Sequence, residues 1–302
     1  PISVDDRLLA KLRCVACGSG ELRPDDEDRV TCRSCRTAYP VVDGLPFLFP
    51  PDDLQGFLEL DAERRRERDW RGETATGGRY HWDAYDIPAF LPPAERGCEV
   101  LLLGCGDGAE RPLLEELGYR VHGFDVRRSA GTDFLADAHV LPLEDASYDV
   151  VLSMQVLEHL RAPWRAVREI GRVLRPGGAF VGSVAFLKPY HSSYFHMTHD
   201  GVGALVEEGG MELQRVRGAQ SLTYTIYGRL FPVGPASLRR RVLGAVDAAV
   251  RRLRAWYWAA TRGLDPHEPT SRFGTPEPIS FEDFDDVRYA PAVVFRASKP
   301  KA

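Results

Sequence analysis

Lysine is close to absent from this 302-residue chain: Lys11, Lys188, Lys299 and Lys301 are the only four, and arginine makes up the rest of the 39 basic residues. The bias has two readings, anion recognition by arginine forks and GC-rich coding, and the second asks for less. An excess of positive charge is absent too. With 44 acidic residues the formal net charge is −5, so the chain as a whole has no general attraction to nucleic acid. No run of about 18 apolar residues occurs, which excludes a bilayer-spanning helix. The opening stretch PISVDDRLLAKLRC carries too much charge for a signal peptide. These absences predict a cytoplasmic protein, a compartment in which the six cysteines are not expected to form disulfides. What is present is apolar material, 44% of the residues, enough over this length for one large domain and one small one.

Four of the cysteines fall in the first forty residues. Cys14 and Cys17 form one C-x-x-C, Cys32 and Cys35 a second, with 14 residues between the pairs. Two such knuckles place four thiolates around one tetrahedral ion, and soft sulfur ligands in that geometry favour zinc. A redox C-x-x-C needs only one pair. Cys14, Cys17, Cys32 and Cys35 are therefore the expected ligands of a structural Zn2+. The alternative is a ribbon with intact cysteines and no metal, or a different one. The stretch LRCVACGSGEL…VTCRSCRTAYPVVDGLPFLFP resembles the small zinc-ribbon domain called Trm112-like, over roughly residues 8–50. That resemblance implies a stabilising or docking module, in keeping with a coordinatively closed four-thiolate site.

A connector follows over residues 51–95. LELDAERRRERDWRGE mixes charges at helical spacing and reads as a solvated helix. Tyr80, His81, Trp82 and Tyr85 then crowd together. They fit an aromatic patch packed on the main domain, or a flap whose ring faces rest against a cationic ligand.

From Glu99 onward short apolar runs alternate with helical patterns, the signature of an α/β domain with a parallel sheet. The run VLLLGCGDGA (residues 100–109) drives into glycines at alternate positions. Gly104, Gly106 and Ala109 fit G-x-G-x-x-[GA], the dinucleotide fingerprint. Gly104, Gly106 and Gly108 fit G-x-G-x-G, the turn of S-adenosylmethionine (SAM) enzymes. Asp125, about 20 residues beyond the first glycine, suits ribose hydroxyls in either cofactor.

The stretch DFLADAHVLPLEDASYDVVLSMQVLEHL, followed by EIGRVLRPGGAFVGSV, resembles the middle of class I SAM-dependent methyltransferases over about 90 residues. The resemblance implies a Rossmann-like seven-stranded sheet over residues 96–302 that binds SAM. It also implies that Asp137 meets the adenine amino group, with Ala138 beside it, and that Gln155 lines the methionine end. SAM carries no phosphate, so glycines at 104, 106 and 108 serve close backbone approach, where a Cβ would collide. Cys105 and Cys98 read as structural fillers.

Methyl transfer needs alignment of acceptor and methyl and, for an oxygen or nitrogen acceptor, sometimes a base. Two clusters qualify. Gln155, Glu158 and His159 follow the fourth strand of the fold at i, i+3 and i+4, which places them on one helix face. The ubiquinone-pathway O-methyltransferases hold a divalent metal with a similar E-x-x-E-H, but Gln155 stands where the first acid would be. The loop KPYHSSYFHMTHDGV brings His191, His196 and His199 together with Tyr190 and Tyr194 after the fifth strand. In glycan and natural-product methyltransferases, similar loops lie beside the acceptor. His191, His159 and His196 are the candidate catalytic residues, and Thr198 the cap of the next helix.

Near the C-terminus, SLRRRVLGAVDAAVRRLRAWYWAATRG predicts a long helix capped by Ser237, with Leu238, Val242, Val246, Val250, Leu253 and Tyr257 as its apolar stripe. A lid or homodimer contact through residues 237–262, a membrane-surface helix and an RNA-facing surface all fit this pattern. The final YAPAVVFRASK reads as the antiparallel edge strand, which makes residues 220–285 a helical insertion. The expected activity is methyl transfer to a small-molecule or sugar acceptor, with no nucleic-acid partner. An RNA methyltransferase with an RNA-reading ribbon and a non-catalytic SAM-fold adaptor are the rivals. The acidic charge and the absence of an N/D-P-P-[YF] motif weigh against the first, the intact Gly104, Gly106, Asp125 and Asp137 against the second.

Overall fold

The computed structural model describes residues 4–25, 28–66, 85–95, 97–188, 191–219, 236–261 and 290–301. The N-terminal part holds helix α1 (Asp6–Leu9), strands β1 (Leu22–Pro24), β2 (Arg29–Cys32), β3 (Ala38–Val42) and β4 (Leu45–Leu48), and helix α2 (Pro51–Arg66). The main domain holds β5 (Glu99–Leu103), α3 (Arg111–Glu116), β6 (Arg120–Asp125), β7 (Phe134–Ala136), β8 (Tyr148–Met154), α4 (Pro163–Val173) and β9 (Leu174–Ala185). It continues with α5 (His199–Glu208), β10 (Glu212–Ala219), α6 (Ala236–Thr261) and β11 (Ala292–Ser298).

All eleven strands join in one succession, β1-β2-β3-β4-β7-β6-β5-β8-β9-β11-β10. The expected seven-stranded sheet is corrected to eleven. The additional four come from the N-terminal part, because β4 pairs in parallel with β7, setting Phe47 beside Leu135 and Leu48 beside Ala136. A bare sheet edge leaves backbone donors and acceptors unmet, and an added strand satisfies them. Beneath this join Phe47, Phe49 and Leu135 form a small core closed by α2, where the rings of Phe49 and Phe57 stack at 3.8 Å.

The N-terminal part is tied down further along. Lys11 Nζ donates to Glu99 Oε2 at 2.9 Å and to the Ser147 carbonyl at 2.7 Å, and Arg13 N donates to the Pro142 carbonyl at 3.0 Å. Leu8, Leu12, Cys14 and Cys32 belong to the same apolar cluster as Leu101, Phe124 and Leu141. The ribbon read as a separate unit from the sequence thus shares its sheet and its core with the main domain.

The other end holds a second correction. The last strand, β11, is not the edge: it lies between β9 and β10, antiparallel to both, and β10 is outermost. The side chains agree, since β11 is buried along most of its length while most of β10 is exposed or half-buried. Arg172 on α4 fixes the loop before β8, donating to the Leu141 and Leu143 carbonyls at 2.9 and 2.6 Å and pairing with Glu169. Tyr85 is fully buried in one cluster with Val100, Leu102 and Val150, which for this residue fits the packed patch, one of the two readings of the connector aromatics. Tyr80, His81 and Trp82 lie outside the described residues, as do residues 67–84, 220–235 and 262–289.

Candidate active site

The strands β5, β6 and β8 run in parallel, and at their carboxyl ends lies a cavity of about 700 Å3. In an open parallel sheet this is where ligands bind, in the crevice beyond the strand ends. Gly104, Gly106, Asp125, Ala138, Gln155 and His159 line it, and so do Arg127–Ala130, which sequence reasoning did not single out.

The glycine turn is built in two ways. A Cβ on Gly106, at φ +50°, would meet no heavy atom within 4 Å, so a side chain there would occupy the cavity itself. A Cβ on Gly108 would lie 2.4 Å from Gly131 Cα. Gly108 therefore lets two backbones touch and does not line the cavity, unlike its expected role at the cofactor. Cys105 is buried within the turn, and burial pushes its thiol up to about 12. That keeps it protonated and inert, as expected of a filler.

Asp125 closes β6. Its Oδ2 accepts from Gly106 N at 3.1 Å and its Oδ1 from Arg127 N at 3.1 Å. Burial raises its pKa against these backbone donors. A carboxylate so placed links the glycine turn to the Arg127–Ala130 loop and faces the cavity between them. Asp137 is engaged elsewhere. Its Oδ1 lies 2.6 Å from His139 Nδ1, and Ala162 N donates to His139 Nε2 at 3.3 Å. The backbone donor makes Nε2 the acceptor, so Nδ1 carries the proton and gives it to Asp137. It is the neighbour, Ala138, that lines the cavity.

The Gln155–Glu158–His159 set does not form a helix face. Gln155 takes φ +56°, and Leu157–His159 is a single 3-10 turn that ends in an extended Leu160. The kink separates Gln155 from the other two, while donor atoms of Glu158, His159 and His191 lie within 4.8 Å of one another. Gln155 Oε1 accepts from Lys188 Nζ at 2.9 Å. Glu158 is fully buried, with Oε1 accepting from Ala185 N at 3.0 Å and Oε2 without a hydrogen-bond partner among the described residues. Burial pushes its carboxyl up to about 7. His159 stays at the cavity wall, where burial and then the Lys188 charge lower its pKa. The shift favours its neutral form.

The loop after β9 meets this turn. The rings of His159 and His191 lie edge to face at 4.8 Å, and His191 and His196 at 6.2 Å. His191 Nε2 is 3.5 Å from Glu158 Oε1. Tyr194 N and Phe195 N both donate to the Glu158 carbonyl, at 2.9 and 3.1 Å, which locks loop to turn. His191, His159 and His196 are thus brought together. His199 pairs with Asp200 at the start of α5, which Thr198 caps through Gly201 N at 3.1 Å. Tyr190 lies outside the described residues.

In the N-terminal part, Cys14 and Cys35 sulfurs are 3.5 Å apart, Cys17 and Cys32 3.7 Å, and all four lie within 4.8 Å of one another. A tetrahedral ion with bonds of about 2.3 Å sets sulfur–sulfur edges of about 3.8 Å, so the donor set fits one ion. Sequence reasoning missed Arg128, which is buried at the cavity wall, donates to Asp61 Oδ1 on α2 at 3.0 Å and donates to the Val42 carbonyl at 2.9 Å. Nothing local signals it, because its partner lies 67 residues earlier.

Residues 101–182 match the family described as Methyltransferase domain. The chain is 34% identical over 149 residues to a Mycolicibacterium smegmatis protein described as a probable S-adenosylmethionine-dependent methyltransferase, covering 40% of this chain and 55% of that one. It is 31% identical over 138 residues to the 27-O-demethylrifamycin SV methyltransferase of Amycolatopsis mediterranei, covering 40% of this chain and 50% of that one. The chain therefore spans about half the length of these relatives. Among solved structures, the Burkholderia thailandensis 1,6-didemethyltoxoflavin-N1-methyltransferase is similar with a TM-score of 0.44 at 15% identity, covering 93% of this chain and 100% of that one.

Proposed function

We propose that this chain, whose centre is a methyltransferase domain of the SAM-dependent class, transfers a methyl group to a small-molecule or sugar acceptor, at oxygen. The observation that carries the reading is the cavity at the strand ends, with the glycine turn and Asp125 on its wall and neutral His159 at its border. The cavity fits the cofactor on its own chemistry. Gly106 leaves open the space that any side chain would fill, and Asp125 offers a carboxylate whose ribose contacts would replace lost solvation. Bound there, SAM supplies a methyl carbon already activated by its sulfonium. The protein's part is alignment. Gln155, fixed by Lys188, borders the cavity near His159. In this reading His159, on the cavity wall, or His191, packed against its ring, takes the proton of an acceptor hydroxyl, and Glu158 steadies His191.

The relative named as a 27-O-demethylrifamycin SV methyltransferase supports a small-molecule acceptor. The four-cysteine cluster fits a structural Zn2+ that stabilises the N-terminal part, through which β4 extends the sheet. No helix among the described residues is long and apolar enough to cross a membrane. Activity is tested by incubating the protein with methyl-labelled SAM and a small-molecule extract and reading label by mass spectrometry. Label in a small molecule supports the reading. Label in RNA, or failure to bind SAM, overturns it.

A further inference from the structure

Helix α6 turns its apolar side outward. Leu238, Val242, Val246, Val250, Leu253 and Trp256 recur at three- and four-residue spacing and are all exposed, from 43% at Val246 to 70% at Trp256. Leu243, Gly244 and Ala248, at other angles around the helix, are only half exposed. An ordinary surface helix does the reverse and hides its apolar stripe against the core. A continuous exposed stripe of this length marks an interaction surface.

The charge on the helix selects the occupant. Residues 236–261 contain six arginines against one acid, Asp247, in a chain whose net charge is −5. Arg241 and Arg252 are exposed along with the stripe. By the helical angle of 100° per residue they fall together at one margin of it. Two copies meeting on this face would bring like-charged helices into contact, which opposes self-association. A nucleic acid would engage the arginines but leave the valines and Leu253 in water. An anionic bilayer surface meets both demands: the apolar stripe enters the acyl boundary, the arginines lie among lipid phosphates, and Trp256 sits at the headgroup level.

We propose that α6 is an interfacial helix that docks the protein on anionic membrane surfaces. It lies along the bilayer plane and does not cross it, in agreement with the lack of a spanning helix among the described residues. The proposal is independent of methyl transfer, because binding is read without turnover.

The experiment is flotation of the full chain with vesicles of phosphatidylglycerol and phosphatidylcholine, against vesicles of phosphatidylcholine alone. Binding is expected to the anionic vesicles and to weaken as salt is raised. Val246→Asp with Val250→Asp should lower the partition coefficient by at least about tenfold, since each valine withdraws several buried carbons from the membrane. Arg241→Glu with Arg252→Glu should remove the preference for anionic lipid. Thermal melting identifies any variant that fails to fold, and Val246→Thr with Val250→Thr, a milder change on the exposed face, then takes its place. Equal recovery with and without vesicles overturns the proposal. So does a dimer in sedimentation that the valine variants dissociate, because the stripe would then belong to a second copy of the chain.

Discussion

Asp61→Asn removes the charge that faces Arg128 while keeping the side chain's size. The two side chains are 4% and 6% exposed, with Arg128 Nε 3.0 Å from Asp61 Oδ1 and Nη2 3.3 Å from Oδ2. Removing one partner of a buried ion pair costs about 3–5 kcal/mol, because the other charge is left unmet in a poor dielectric. Arg128 keeps two supports, the Val42 carbonyl at 2.9 Å and the Asp43 carboxylate at 3.8 Å, so a cost at or just below the bottom of that range, about 2–3 kcal/mol, is expected. Urea unfolding read by circular dichroism measures it as a lowered midpoint at unchanged slope. Replacing both partners by apolar residues, Arg128→Met with Asp61→Leu, should recover much of the loss, and the cycle isolates the coupling. A cost below about 0.5 kcal/mol for Asp61→Asn would show that water reaches the guanidinium and that the pair does not anchor α2 to the cavity wall.

Glu158 sets a pH dependence. Its carboxyl is near 4.5 in the unfolded chain and about 7 when folded, so between these values the native state binds more protons and stability falls as pH rises. The difference is worth about 3 kcal/mol above pH 7. Glu158→Gln should flatten the stability profile between about pH 4.5 and 7, and an unchanged profile from pH-dependent urea melts would contradict the burial argument. His191→Ala should lower turnover by about 10²–10⁴-fold if His191 is the base, or raise the acceptor KM at preserved kcat if it only binds acceptor. In either case SAM affinity should hold, and its loss would misplace the loop. Metal analysis should find one zinc per chain, lost in Cys14→Ser with Cys32→Ser; zinc-free native protein would refute the ligand set.

What the sequence revealed and what it hid divide along the range of the interactions. The glycine turn and Asp125 were legible because strand, turn and acid are fixed by spacing along 22 residues. Gly108 and Asp137 were legible as positions but not as directions. Gly131 takes up the first and His139 the second, and neither partner is implied by the motif. The Gln155–Glu158–His159 spacing promised a helix face. The left-handed Gln155 and the short 3-10 turn broke that register. The β4–β7 pairing and the Arg128–Asp61 contact join segments far apart in the chain. No local pattern reports such joins, so the eleven-stranded sheet and the N-terminal part's reach to the cavity appear only in three dimensions.

Calorimetric titration with SAM tests the assignment of the cavity most directly. The wild-type chain should bind one equivalent. Asp125→Ala should weaken binding by about 1.5–3 kcal/mol, the worth of hydrogen bonds to a charged group, which is roughly 10- to 150-fold. Gly106→Val should abolish it, since the added side chain fills the open space beside the turn. Equal affinity in all three proteins, or no binding by the wild type, would contradict the placement of the cofactor.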